Sequence, residues 1–143
     1  MEPRGIRNNN PLNIRLNPAN KWVGRVEPNT DGAFEQFTEM KYGYRAAFLL
    51  LHKYMTVYNC RCIRAIVHRW CPKGDGSNNP DSYTNKVAFI ANYPATRLVR
   101  FEDMHLMCAI ADAMTYIECG KRVERDIVMA GYKEACMASN GKE

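Results

Sequence analysis

The 143-residue sequence contains no apolar run that approaches the roughly 20 residues of a membrane-spanning helix. Its longest apolar run, AAFLLL at residues 46–51, is bounded by Arg45 and His52. The first ten residues, MEPRGIRNNN, also lack the apolar core of a secretory signal. We therefore expect synthesis in the cytoplasm without a signal peptide, and no membrane partner.

Sequence motifs of metal, nucleotide and serine-nucleophile sites are missing as well. The six cysteines include no CxxC pair, and the three histidines do not complete a zinc site. Neither GxxxxGKS/T nor GxGxxG occurs, and there is no GxSxG. The sequence therefore predicts no metal ion and no cofactor, and it predicts reduced cysteines that serve as small apolar residues.

Charge of either sign is not concentrated in one part of the chain. The 20 Lys and Arg residues outnumber the 15 Asp and Glu residues and give a net charge of +5, a mild preference for anionic partners. The densest basic stretch, Lys121–Arg125, is interrupted by Val123 and Glu124. Since a nucleic-acid footprint is normally clustered, nucleic acid is a disfavoured partner.

The chain shows no internal repeat, low-complexity tail or break in composition, which predicts a single domain over residues 1–143. Three prolines within the first 18 residues predict an extended, turn-rich arm there. Two strand-like runs follow, Lys21–Val26 and Ala33–Phe37, around a turn at Asp31-Gly32. This pattern predicts a small N-terminal β-hairpin.

Apolar residues at spacings of three and four predict that the rest of the chain is helical. The predicted helices cover Met40 to about Tyr58, Arg61 to Trp70, Pro80 to Asn92, Phe101 to Cys119, and Val123 to Ala138. Asn59 and Asn79 are the expected N-caps of the second and third helices, Gly120 is the expected end of the fourth, and Gly131 could break the last. The predicted fold class is α+β, mostly α.

The stretch RGIRNNNPLNIR, Arg4–Arg15, is unusually rich in neutral amides. Amides offer donors and an acceptor without charge, which suits the hydroxyl and N-acetyl groups of sugars, whereas phosphates favour Arg and Lys. The predicted ligand-orienting residues are Asn8, Asn10, Asn13 and Arg15. The alternative is structural, because asparagine also braces turns and tolerates left-handed backbone.

A second polar stretch, RWCPKGDGSNNPDSY, runs from Arg69 to Tyr83. Aromatic faces stack on sugar rings and neighbouring amides orient them. We therefore predict Trp70 and Trp22 as walls of a saccharide groove, with Asn78 and Tyr83 as further substrate-binding residues. The alternative is that both indoles pack in the core.

Glycoside cleavage needs a carboxylic acid that stays protonated near neutral pH, often with a second carboxylate beside it. Glu35 lies between Phe34 and Phe37, an apolar neighbourhood that favours the protonated form. Glu35 is therefore the leading candidate for a general acid, with Asp31 or Asp75 as the supporting carboxylate. For each of these acids the alternative is a solvated surface charge.

Several motifs together resemble a family of small phage and prophage proteins: GIRNNNPLNIR, then Trp22-x-Gly24, the spaced Asp31, Phe34 and Phe37, and GYRAAFLLL. The resemblance covers about residues 4 to 93. Many members are described as virion structural proteins, and larger virion-associated members carry this module together with lysozyme-like, peptidoglycan-degrading function. The resemblance thus implies a lysozyme-like helical domain, and the virion or the cell wall as its location on release.

One part of the pattern departs from that family. Its members typically read W-A-P-P-x-E-N-x-T-x-x-Y where this chain reads WCPKGDGSNNPDSY, so that Trp70, Pro72, Asn78 and Tyr83 match. The family glutamate is replaced by Asp75 or has no counterpart, which implies weakened activity if that glutamate is catalytic.

The resulting hypothesis is a lysozyme-like module that binds peptidoglycan or a related glycan. It would cleave the β-1,4 bond as a glycoside hydrolase or a lytic transglycosylase if it is active. The alternative is a non-catalytic virion structural or assembly protein, whose partners are other virion proteins.

Overall fold

A computed structural model describes residues 2–71 and 79–140 of the chain. In this part of the protein the regular secondary structure is helical. The helices are α1 (Arg4–Arg7), α2 (Met40–Thr56), α3 (Ile63–Trp70), α4 (Pro80–Ala91), α5 (Met104–Cys119) and α6 (Arg125–Ser139). The described part of the chain contains no helix with both the length and the apolar character needed to cross a bilayer.

The predicted α+β class and its N-terminal β-hairpin are wrong. The segments Lys21–Val26 and Ala33–Phe37 meet at one isolated bridge, Arg25 with Phe37, and a second bridge joins Phe34 to Arg15. The main chain of residues 33–38 divides its hydrogen bonds among three segments, residues 14–16, residues 24–26 and Asn8. Because neither bridge is extended by a second one, no ladder forms and no sheet results.

The main helices after residue 40 begin and end close to the predicted residues. The side chain of Asn79 caps α4 by accepting hydrogen bonds from the amides of Asp81 (2.9 Å) and Ser82 (3.0 Å), as predicted. Gly120 ends α5 with a φ of 70°, also as predicted. The prediction for Asn59 was wrong, since α3 begins after Cys62.

The apolar core lies between the long helices. α2 packs against α6, while α4 contacts both α3 and α5. The α2–α6 contact is close at Gly131, where an added Cβ would lie 2.4 Å from the Cβ of Tyr44. The largest fully buried apolar side chains are Tyr44, Phe48, Leu12, Leu51, Met55, Ile63, Ile66, Met107, Ile110 and Met114. Cys60, Cys62, Cys108, Cys119 and Cys136 are free thiols.

The segment before α2, residues 2–38, lies over this helical part and is called the arm below. It contacts α2 at Gly43, where an added Cβ would lie 2.1 Å from the main-chain oxygen of Asn9. Leu12 and Phe37 anchor the arm in the core with 0% and 2% exposure. The polar side chains between these anchors include most of the predicted site.

Candidate functional site

Asn10 is fully buried and its amide binds the arm's own main chain. Its Nδ2 donates to the carbonyl oxygens of Ile14 and Glu35, both at 3.0 Å, and its Oδ1 accepts from the amide of Ile14 at 2.9 Å. Each polar atom of this amide therefore has an internal partner. The contacts are those of a brace that joins two passes of the arm.

The two preceding asparagines make similar contacts. Asn8 donates to Asp31 at 3.0 Å and accepts from Gln36 at 3.2 Å. Asn9 donates to the main-chain oxygen of Phe37 at 3.0 Å and has a φ of 52°. This left-handed conformation is one that asparagine tolerates better than most residues, which accounts for an asparagine at the turn.

Asp31 is held in the arm by a dense set of donors. Arg4 donates to both carboxylate oxygens, at 2.8 Å and 2.6 Å, and the amides of Ala33 and Phe34 donate at 3.1 Å and 2.9 Å. The hydrogen bond from Arg4 holds the pKa of Asp31 well below its ordinary value, and the bonds from Asn8 and the two amides act in the same direction. Asp31 is therefore an ionised carboxylate that closes a turn.

Glu35, the predicted general acid, is fully buried in an ion pair. Its Oε1 accepts from Nε of Arg25 at 2.9 Å, and its Oε2 accepts from the amide of Asn17 at 3.1 Å. The Arg25 side chain is itself only 8% exposed. Catalysis by Glu35 stays a prediction, and the contacts give this carboxylate a bracing role similar to that of Asp31.

Two of the predicted substrate-binding residues converge on a carboxylate that the sequence had not suggested. Asn13 donates from Nδ2 to Oε1 of Glu118 at 3.0 Å, and the hydroxyl of Tyr83 donates to Oε2 of the same residue at 3.0 Å. Asn13 belongs to the arm, Tyr83 to α4 and Glu118 to the last turn of α5. Three separate segments therefore meet at one half-buried acid, which we call the Glu118 cluster.

The electrostatics of the Glu118 cluster differ from those of Asp31. Burial raises the pKa of Glu118, and the hydrogen bonds from Asn13 and Tyr83 only partly oppose this effect. Burial also raises the pKa of Tyr83 well above its ordinary value, and the nearby Glu118 adds to that shift. The cluster therefore contains a carboxyl group with an increased tendency to hold a proton, the property that general acids require.

The sequence analysis did not identify Glu118, because the helix that contains it was recognised by its apolar residues alone. α5 contains only two acids, Asp112 and Glu118, in an otherwise apolar segment. Asp112 is buried and paired with Arg122 at 2.6 Å. An acid in a helix that is apolar on almost every side indicates a buried polar contact, because such a helix is buried and its charged side chains need partners. This signal could have identified Glu118.

The other predicted residues are spread over the molecule. Arg15 lies 4.8 Å from the ring centroid of Phe34 and is exposed. Trp70 is half-buried against Tyr54, with ring centroids 6.1 Å apart, whereas the half-buried Trp22 belongs to the arm. Asp75 and Asn78 lie outside the described residues. A glycan role for these residues stays a prediction.

No group of three or more His, Cys, Asp or Glu side chains within residues 2–71 and 79–140 is arranged to hold a metal ion.

No family model matches the chain. The chain is similar to Protein P5 of Pseudoalteromonas phage PM2, with 34% identity over 119 residues. The matched region spans 82% of this chain and 71% of the phage protein.

Proposed function

Because the chain belongs to the same family as Protein P5 of phage PM2, we propose that it is a structural component of a phage particle. Its role there is to contact neighbouring virion proteins without catalysing a reaction. Family membership is the observation that carries this proposal, and two features of the molecule support it.

The first feature is an exposed apolar surface formed by α4 and the end of α5, called the α4–α5 surface. Phe89 is 86% exposed and Tyr116 is 47% exposed. Together with Ile90 and Ile117 they line a shallow groove of about 880 Å³, in which Lys86 is the charged lining residue among those described. Exposed apolar patches of this kind are typical of protein–protein contacts, since they lose unfavourable hydration on association.

The second feature is the arm, whose amides and carboxylates bind the chain itself. Asn10 has no polar atom left for a ligand, and Glu35 is paired with Arg25. An arm whose buried amide and carboxylate bind the chain itself suits a protein whose task is to keep its shape in an assembly.

Particle composition tests this proposal. Purified particles of the encoding phage or prophage should contain the chain as a stoichiometric protein by mass spectrometry. Particles made with Phe89→Ser should contain much less of it, because the substitution removes the apolar contact, whereas Met137→Ser should be incorporated normally. Met137 is a matched control, since it is 52% exposed but lies on α6. Absence of the wild-type chain from purified particles would contradict the proposal.

The Glu118 cluster supports a second candidate function, binding and cleavage of the β-1,4 bonds of peptidoglycan. A half-buried carboxyl with a raised pKa lies beside one amide of the asparagine-rich stretch and one tyrosine of the second polar stretch. In this reading Glu118 is the general acid and Asn13 orients it. The elevated pKa of a partly buried glutamate is the feature that glycoside cleavage uses.

Clearing of purified cell-wall sacculi separates the two candidates. If the chain cleaves glycan, wild type should reduce turbidity and Glu118→Gln should slow clearing by about 100-fold or more. Glu102→Gln, a change at an exposed acid outside the cluster, should not alter the rate. Reducing ends in the products would identify a hydrolase, and anhydro sugars a lytic transglycosylase. Folded wild-type protein that leaves sacculi intact would eliminate the enzymatic candidate.

A further inference from the structure

A second groove lies between the C-terminal part of α2, the residues that follow it and α3. It has a volume of about 720 Å³, within the range of ligand-binding clefts. Leu50, Ala65 and the buried Cys60 contribute apolar surface, and Tyr54 and Tyr58 contribute aromatic rings. We call this feature the Tyr58 groove.

Arg69 is fixed against the aromatic wall of the Tyr58 groove. The carbon at the centre of its guanidinium lies 3.4 Å from the ring centroid of Tyr58 and 5.5 Å from that of Tyr54. Tyr54 is in turn packed against Trp70, with ring centroids 6.1 Å apart. Stacking occupies the face of a guanidinium but leaves the N–H donors in its plane available, so this arginine is held ready to bind an acceptor.

The charge of the groove is unbalanced. Its basic lining residues are Lys53, His68 and Arg69, and the lining residues that the structure describes include no carboxylate. Asp81 lies 3.0 Å from Nε2 of His68 and 3.5 Å from Arg64. Within the described residues neither Lys53 nor Arg69 forms an ion pair, so two cations border an apolar groove without compensation.

We propose that the Tyr58 groove binds an acidic segment of another polypeptide, with a carboxylate on Arg69 and Lys53 and a neighbouring apolar side chain on Leu50 and Tyr54. Arginine recognises carboxylates through paired hydrogen bonds, and acidic peptide motifs are commonly bound by arginine in this way. A nucleic acid would need a row of cations to follow its phosphates, whereas here two cations border one apolar groove.

Fluorescence anisotropy with the full chain tests the proposal directly. The probe is a short fluorescein-labelled peptide that alternates glutamate with leucine. Two comparison peptides carry glutamine in place of glutamate or serine in place of leucine. A third comparison probe is a labelled single-stranded oligothymidylate. We expect the glutamate–leucine peptide to bind most tightly, because it alone supplies both the carboxylates and the apolar contacts.

Variants locate the binding on the groove. Arg69→Gln should weaken binding by about 10- to 100-fold, the value of one charge-assisted hydrogen-bonded contact. Arg64→Gln is the matched control, since it removes the same charge from the same helix at a residue that pairs with Asp81. Tyr58→Ala should also weaken binding because Arg69 loses its support, whereas Tyr58→Phe should not.

Several outcomes would overturn the proposal. Equal affinity for the glutamate and glutamine peptides would remove the role of charge, and stronger binding of the oligonucleotide would identify a different partner class. Equal effects of Arg69→Gln and Arg64→Gln would place binding elsewhere. Undetectable binding of all probes by folded wild-type protein, with unchanged far-UV circular dichroism, would also reject it.

Discussion

The arm and the helical part of this protein are held together by different chemistry. In the arm, the buried contacts include amides and carboxylates, of which Asn10 and Glu35 are both 0% exposed. In the helical part, the fully buried residues are mainly apolar, such as Phe48 and Leu51. We therefore expect substitutions in the arm to act mainly through lost hydrogen bonds, and substitutions in the helical core mainly through lost packing.

This difference follows from secondary structure. A helix satisfies its own main-chain polar groups, so its side chains are free to be apolar where they face the core. The arm has no ladder and only a one-turn helix, and its buried main chain needs other partners. The side chains of Asn9 and Asn10 supply such partners, while Asn8 and Asn13 bind the side chains of Asp31 and Glu118.

The largest effect should come from unpairing the ion pair in the arm. Glu35→Ala leaves the guanidinium of Arg25 without its buried carboxylate, at a cost of about 3–5 kcal/mol in the free energy of unfolding. Urea denaturation measures it, and Glu39→Ala, at an exposed acid, should change stability little. Leu51→Ala, in the helical core, should cost about 2–5 kcal/mol. A smaller loss for Glu35→Ala than for Leu51→Ala would contradict the expectation that the ion pair of the arm has the largest effect.

Removal of one bracing amide should have the next largest effect. Asn10→Ala removes three hydrogen bonds to the main chain, and the oxygen of Ile14 keeps only its bond from the amide of Glu35. The amide of Ile14 and the oxygen of Glu35 lose their side-chain partner, and each buried group left unsatisfied costs about 1–3 kcal/mol. Hydrogen exchange should show the loss of protection concentrated at Ile14 and Glu35. Asn20→Ala is the control because no hydrogen bond involves its side chain within the described residues. Equal destabilisation by both variants would contradict the bracing role.

A substitution in the helical part should act through packing instead. At Gly131 an added Cβ would also lie 2.9 Å from the main-chain oxygen of Lys41, so α2 and α6 must separate. Gly131→Ala should therefore cost about 1–3 kcal/mol, while Lys133→Ala on the exposed side of α6 should stay within about 0.5 kcal/mol. Thermal unfolding measures both, and an unchanged midpoint for Gly131→Ala would refute the close approach.

The smallest effects should appear as opposite pH dependences. Asp31 has a lowered folded pKa, so its contribution is fully present above its unfolded pKa of about 3.9 and is lost as pH falls toward the folded value. Glu118 has a raised folded pKa, so its contribution is present below about 4.3 and is lost as pH rises through the folded value.

Free energies of unfolding measured from acid to neutral pH test this contrast. Asp31→Asn should remove stability at neutral pH and flatten the acid side of the profile. Glu118→Gln should flatten the decrease in stability that occurs as pH rises through the folded pKa of Glu118. Unlike Asp31→Asn, it should not lower the free energy of unfolding at neutral pH. Profiles that change in the same direction would show that the two carboxylates do not occupy opposite electrostatic environments.

The candidate site could be predicted only in part. The asparagine-rich stretch and Tyr83 were singled out by residue type, and Asn13 and Tyr83 do meet at one acid. The apolar pattern of α5 could have marked Glu118 as an acid that needs a partner, but it could not identify Asn13, which lies 105 positions away along the chain. Residue type suggested a polar function for the amides, but it could not distinguish binding to a ligand from binding to the protein's own main chain.

The helices of this protein were determined by the sequence alone, because spacing of apolar residues, the Asn79 cap and the glycine at 120 act within a few residues. The absence of a sheet from the arm was decided by tertiary structure, since the main chain of residues 33–38 divides its hydrogen bonds among three other segments of the arm. The Glu118 cluster was decided in the same way. Burial and distant partners set the protonation of a carboxylate, and both exist only once the arm, α4 and α5 have come together.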